Sequence, residues 1–450
     1  MTKIMFNIRK FFTRDNKPKI NIFNAENKIR YIIKNWLFIP FILAFIFSLP
    51  LYANFYTYLN EEYFPYINAI LVLISLFTYL NINKRFAFSF GFFIGLFWFY
   101  WIGLSFRYTN SAYLVYVIPI IVGIIYAILI WLALFFNNII FRAITLSLIG
   151  YVTIFGFDWF IPDAMLSFSI FKVDKISFII IVATLSIISI KQIKLLRFLA
   201  IFLLFFAIDF DIKKIRIPNE KILLTQTNIQ QKEKWAGNNL DKIVQYNISL
   251  IENAINDGYS IVVLPETAFP IILNTSIYEN IVDELKELST KITIIVGAQR
   301  YDGFGVYNTT YVFNNKHYQF ADKIFLAPFG EYMPIPGFIA DFFSKIFNIR
   351  YSTFDTQDKE PINIFAGNLI FRNAICYEAT TKKAYKDNPK YMMLISNNIW
   401  FKPSNEPILQ MMLIKYYSRL HKTIVFHSAN GSKSGIITPN MNLDFRVNGI

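Results

Sequence analysis

Between residues 36 and 208 the apolar positions run in blocks, at 36–53, 66–80, 86–106, 113–136, 144–161, 176–190 and 195–208, divided by short polar loops. A helix crossing a bilayer at right angles needs about 20 apolar residues. The blocks therefore predict seven spans, the shorter ones accommodated by tilt or local thinning. Any one short apolar run fits a buried core helix, but a whole series separated by loops of a few polar residues points to a membrane.

From residue 215 the texture changes to short β-rich runs alternating with amphipathic stretches. Strands are expected at 221–225, 260–264, 293–298, 309–313, 363–364, 368–374, 391–395 and 423–427, and helices at 240–257, 277–288 and 407–420. Such alternation implies packed layers of sheet and helix. The expected organisation is a basic cytoplasmic tail at 1–35, a transmembrane helical bundle at 36–210 and a globular α/β domain at 211–450.

Composition sharpens this picture. Of the 450 residues 55% are hydrophobic and 16% charged, with a mean hydropathy of +0.41, too apolar for an ordinary soluble enzyme. The net charge is +14, and nine Lys or Arg against Asp15 and Glu26 place half of it before Trp36. That position suits a tail beside anionic lipid rather than a nucleic-acid groove. With the tail cytoplasmic, Lys84 with Arg85, Arg142, and Lys191 with Lys194 fall in successive cytoplasmic turns, while 54–65 carries no Lys or Arg; Arg107, Lys172 and Lys175 run against the pattern. Seven spans from that start deliver the α/β domain outside, which in a bacterium means an inner-membrane protein with a periplasmic domain. A cleaved signal peptide is disfavoured, because no A-x-A site follows the long charged region and further spans come after it.

Three residues carry candidate chemistry. Glu266, Lys323 and Cys376 each follow an apolar run, where a buried strand ends and open α/β sheets place ligands. Each has an alternative: Glu266 as an exposed loop acid, Lys323 as a lysine satisfied structurally by Asp322 or Glu331, Cys376 as a small buried hydrophobe. Cys376 is the only cysteine, which excludes an intrachain disulfide. A thiol becomes a nucleophile through a depressed pKa or an adjacent base, and a lysine with a glutamate supplies both. Among His317, His421 and His427, only His427 follows an apolar strand and competes as a base for a Cys–His pair. No zinc-ligand spacing and no phosphate loop are present, and no cofactor is implied.

Taken together, Leu264-Pro265-Glu266, Asp322-Lys323 with Pro328-Phe329-Gly330-Glu331-Tyr332, and Ile375-Cys376-Tyr377-Glu378 resemble the nitrilase superfamily, specifically its membrane branch, the apolipoprotein N-acyltransferases. Similarity extends to Gln226-Thr227-Asn228-Ile229 with Trp235, to Tyr307-Asn308-Thr309, to the stretch from Ser396 to Phe401 and to Asn430-Gly431. The resemblance implies an α-β-β-α sandwich behind the helical bundle. It makes Glu266 a general base, Cys376 a nucleophile and Lys323 the cation offsetting an oxyanion, with Glu331, Trp235, Asn308, Tyr377 and Glu378 in supporting positions. It also implies a ping-pong reaction: a phospholipid acylates Cys376, and the α-amino group of a diacylglyceryl-cysteine apolipoprotein takes the acyl chain.

The sequence departs from that family's pattern at Asn398, where Asp is usual, at Lys433, and at Ile450, where the chain stops before the family's final membrane helix. The apolar stretch 334–347 reads as an arm dipping into the bilayer interface or as a core helix. Two other functions fit the same residues: a membrane-tethered amidase that passes its acyl group to water, and a transporter or sensor with an inactive domain. Arg142 and Arg197 lie near span ends, where snorkelling accounts for them.

Overall fold

The computed structural model describes residues 33–53, 64–108, 112–190, 194–211, 215–328, 331–332, 356 and 360–441. The basic tail up to residue 32 and the 334–347 stretch lie outside them. The chain divides into two compact units, one made of apolar helices and one holding residues 211 onward together with Leu104–Leu114 and Thr153–Trp159.

In the first unit, four helical stretches among the described residues are long and apolar enough to cross a membrane: Asn35–Ala53, Phe64–Asn81, Lys84–Tyr108 and Leu114–Ala133. Ile139–Tyr151, Lys175–Ser189 and Leu195–Ala207 are apolar but shorter. The block at 144–161 is not one helix. Helical structure stops at Tyr151, and Phe155 and Gly156 follow with positive φ before a separate 3-10 turn over Pro162–Phe168.

Small residues let these helices approach closely. A Cβ at Gly91 would lie 2.6 Å from the Tyr126 carbonyl oxygen, and one at Gly95 would lie 2.9 Å from the Tyr126 Cβ, the small-xxx-small device of membrane helix pairs. Outward faces remain apolar, with Tyr116, Ile120, Ile124 and Trp131 exposed on one helix and Leu195, Phe198, Phe202 and Phe206 on another. Arg142 does not snorkel. It is buried, and its guanidinium donates to the carbonyls of Leu80 at 3.0 Å and Ile82 at 2.6 Å, capping the C-terminal carbonyls of the helix Phe64–Asn81.

The second unit is built on two sheets. In the first, β1 (Ile222–Leu224), β3 (Ile261–Val263) and β4 (Thr293–Tyr301) run parallel, and β5 (Val306–Asn314) and β6 (His317–Asp322) continue antiparallel. In the second, β8 (Leu369–Ile375), β9 (Tyr391–Asn397) and β10 (Ile424–Asn430) are parallel. β7 (Asn363–Ala366) and β11 (Gly435–Ile437) flank them antiparallel, and β2 (Gln226–Thr227) pairs with β10.

Alternation along each strand sorts the two faces. Val262, Leu264, Ile294, Val296 and Phe313 point to one apolar cluster, shared with Val244, Ile248 and Ile251 of the helix Leu240–Asn256 and with Ile281 and Leu285 of the helix Glu279–Leu288. Ile261, Val263, Ile295 and Val312 point the other way, onto Phe371, Ile375, Met393, Ile395 and Phe426 of the second sheet. The helix Glu406–His421, almost wholly buried, packs against β10 and β11. The layers are helix, sheet, sheet, helix. Parallel strands buried on both faces need continuous apolar runs, which is why Ile261-Val262-Val263-Leu264 is legible as a strand.

Candidate active site

Each of the three candidate residues stands just past the end of a strand, two in the first sheet and one in the second. β3 passes through Leu264 into a turn in which the Ala268 N–H donates to the Pro265 carbonyl at 3.2 Å. Glu266 and Thr267 are its central residues, and Thr267 takes a φ of +49°, a conformation that favours glycine. The strand β4 runs directly beneath it. A Cβ on Gly297 would lie 2.5 Å from the Thr267 nitrogen and 2.7 Å from the Glu266 Cα. Gly297→Ala is therefore expected to displace the turn and cost on the order of 1–3 kcal/mol, read as a lower unfolding midpoint together with lost activity. A variant with both at wild-type level would show that the turn tolerates a shift.

Glu266 accepts from Asn308 Nδ2 at 2.7 Å and lies 3.7 Å from Lys323 Nζ. Asn308 also fixes the lysine, because the Lys323 N–H donates to the Asn308 carbonyl at 2.8 Å. The Lys323 ammonium, buried, donates to Glu331 Oε1 at 2.7 Å, while Glu331 Oε2 accepts from the Ala327 N–H at 2.7 Å. Burial opposes the lysine's charge, but Glu331 and Glu266 outweigh it and its pKa is raised. Asp322 does not serve Lys323. It takes a two-pronged ion pair from Arg300, with Nε at 3.0 Å and Nη2 at 2.5 Å, and a hydroxyl bond from Thr309 at 2.6 Å.

Cys376 follows β8 with a φ of +52°. The turn is held by Glu378, whose carboxylate accepts from the N–H groups of Ile375 at 2.7 Å, Ile324 at 2.7 Å and Phe325 at 3.0 Å. One side chain thus ties the cysteine turn to the segment after Lys323. Burial pushes the Glu378 carboxyl up to about 7 despite those donors. Burial likewise pushes the Cys376 thiol well above its usual value; Glu266, Glu406 and Glu331 add to this, and Lys323 opposes it. A thiol shifted in that direction calls for an adjacent base rather than a standing thiolate.

Beside the thiol, Gln410 Nε2 lies 3.7 Å from Sγ and Gln410 Oε1 accepts from Asn398 Nδ2 at 2.8 Å. Asn398 therefore takes part in a side-chain relay to the sulfur. Tyr377 donates its hydroxyl to Asp158 at 2.7 Å and stacks on Trp159, with ring centroids 6.0 Å apart. Trp235 is 47% exposed at the end of a short helix, and no hydrogen bond joins it to the triad among the described residues. His427 is buried on β10 with Nε2 3.0 Å from Ser396 Oγ. Burial holds its pKa down to about 3, and among the described residues no hydrogen bond links it to Cys376.

Four site residues escaped the sequence reading. Lys234 and Gln231 stand in a run of polar residues that resembles a solvated turn, yet both are buried. Glu406 opens a helix, where acids are ordinarily exposed; here it is buried near Glu266, and its pKa is raised well above the usual range. Asp158 lies in a segment expected to cross the membrane. No local pattern flags any of them.

Residues 33–210 match the family described as the apolipoprotein N-acyltransferase integral membrane domain. The apolipoprotein N-acyltransferase of Wolinella succinogenes is 36% identical over 396 residues, covering 88% of this chain and 94% of its own length. That of Helicobacter pylori is 36% identical over 415 residues, covering 89% and 95%. Among solved structures, XC1258 of Xanthomonas campestris, a CN-hydrolase superfamily protein, aligns with 50% of this chain and 86% of its own at 13% identity and a TM-score of 0.38. Relatives this similar over nearly their whole length place the chain, an integral membrane protein, in the apolipoprotein N-acyltransferase family.

Proposed function

We propose that this protein moves a fatty acyl group from a phospholipid, through a thioester on Cys376, to the N-terminal α-amino group of diacylglyceryl-cysteine lipoproteins. It works in the bacterial inner membrane with the α/β domain on the periplasmic side. The observation that carries the mechanism is the buried Lys323 ammonium, bonded to Glu331 and 3.7 Å from a Glu266 carboxylate, in the electrostatic field of a partly buried thiol.

Glu266 takes the Cys376 proton as sulfur attacks the ester carbonyl. The negative charge developing on the carbonyl oxygen is offset by Lys323. Collapse of the tetrahedral intermediate breaks the ester C–O bond, and the proton returns from Glu266 to the departing lysophospholipid oxygen. In the second half the amine nitrogen attacks the thioester, Glu266 accepts a nitrogen proton, and sulfur leaves to be reprotonated. Glu331 keeps the lysine oriented, and Glu378 holds the nucleophile's turn against the lysine's segment. The apolar outer faces of the helical unit support a donor drawn from the bilayer.

Incubating the purified protein with phospholipid and no acceptor is expected to add a fatty-acyl mass that hydroxylamine removes. A subsequent primary amine on a diacylglyceryl-cysteine peptide should discharge it. Persistent absence of the increment would sink the acyl-transfer reading in favour of hydrolysis or no chemistry at all.

A further inference from the structure

The short helix Gln231–Lys234 delivers a buried ammonium to the back of the Glu266 turn. Lys234 Nζ donates to the Glu266 carbonyl oxygen at 3.1 Å and to Thr267 Oγ1 at 2.8 Å. The first acceptor belongs to the central peptide of the turn, a carbonyl that the turn's own hydrogen bond leaves unused and that burial would otherwise orphan. The second belongs to a β-branched residue in the left-handed region, a conformation populated about tenfold less readily than extended ones by residues with a Cβ.

The helix is itself anchored. Gln231 Oε1 accepts from Asn397 Nδ2 at 3.2 Å at the end of β9, and Asn430 at the end of β10 donates to Asn397 Oδ1 at 2.8 Å. On the turn's other side Asn247 donates to the Ala268 carbonyl at 2.7 Å. Gly297 closes the space below it.

We propose that Lys234 is a positioning residue: its ammonium holds the Glu266–Thr267 turn in the left-handed conformation from which the Glu266 carboxylate reaches Asn308 and Lys323. This rests on Glu266 being the base that takes the thiol proton. Burial lowers the Lys234 pKa to about 7, and the charge of Glu266 opposes that shift. Among the described residues the Lys234 ammonium donates only to the Glu266 carbonyl and the Thr267 hydroxyl, so its effect on sulfur is indirect.

Because Cys376 is the only cysteine in the chain, its alkylation by iodoacetamide reads base-assisted thiolate formation without any acyl donor. Glu266→Gln, as reference, should slow alkylation strongly. Lys234→Met should slow it about tenfold, and Lys234→Met with Thr267→Gly should regain most of the rate, because glycine adopts the left-handed conformation unaided. Wild-type alkylation in Lys234→Met, or a double variant as slow as Lys234→Met, would overturn the proposal. If Glu266→Gln alone alkylates normally, the base reading fails, and the positioning role with it. Should Lys234→Met not fold, Thr267→Val removes one acceptor and leaves the lysine in place; slowed alkylation then supports the role, and an unchanged rate refutes it. The thioester experiment on the wild type is judged separately, so failure of the acyl-transfer reading stays distinct from failure of this one.

Discussion

Cys376→Ala is expected to stay folded and inserted yet never to carry a thioester, with turnover reduced on the order of 10⁴-fold or more. The size follows from the two-step route. Without sulfur there is no covalent acyl carrier, and Glu266 and Lys323 are left around an inert methyl group. Stability should change little, because alanine and cysteine meet the same backbone demand at the positive φ of residue 376, and the substitution removes a thiol whose pKa burial and the nearby carboxyls raise. The measurement is intact mass after exposure to phospholipid, read with and without hydroxylamine, beside an unfolding curve. A hydroxylamine-sensitive acyl adduct on the alanine variant would remove Cys376 from the mechanism. A collapsed unfolding midpoint would instead make it a structural residue.

Lys323→Met should damage both stability and chemistry. The ammonium sits buried 2.7 Å from Glu331 and 3.7 Å from Glu266. Methionine fills similar space but leaves the buried Glu266 and the half-buried Glu331 without the cation they share. Breaking a buried pair by removing one partner costs about 3–5 kcal/mol, so a clear fall in unfolding midpoint is expected. If Lys323 offsets the oxyanion as proposed, its loss should slow acylation by roughly 10²–10³-fold, and repulsion between the carboxyls should displace Glu266 further. Single-turnover acylation measured beside thermal unfolding separates the two effects. Acylation within tenfold of wild type would show that charge on the carbonyl oxygen is handled elsewhere. An unchanged midpoint would show that Glu266 and Glu331 do not depend on the lysine for their place in the fold.

Glu266 and Cys376 were legible as candidates because they end apolar runs. Leu264-Pro265-Glu266 and Ile375-Cys376 mark the points where strands β3 and β8 leave the sheets, and a chemically distinctive side chain at such a point is visible in one dimension. The strand leading to Lys323 was not legible. β6 is an edge strand whose first four residues are exposed or half-buried, so His317-Tyr318-Gln319-Phe320 lacks the continuous apolar signature of its buried neighbours. β2 and β11, two and three residues long, are too short to produce any pattern. The block at 144–161 misled for a related reason. Hydropathy measures how apolar a segment is, but Phe155, Gly156 and Asp158 bend it into a turn that joins the globular unit.

What the sequence determined by itself was the layered architecture and the candidate residues for the chemistry. Apolar blocks point to membrane helices and strand alternation to two packed sheets, and Glu266, Lys323 and Cys376 stand out as candidates, because each signal depends on neighbours in the chain. What only the tertiary structure decided was pairing. Lys323 takes Glu331 and leaves Asp322 to Arg300, Glu378 spends its carboxylate on three backbone N–H groups, His427 is held neutral beside Ser396, and Lys234 supports the turn that carries Glu266. The partner of a buried charge is set by distance and by the loss of water around it, and both arise when segments far apart in the chain close over one another.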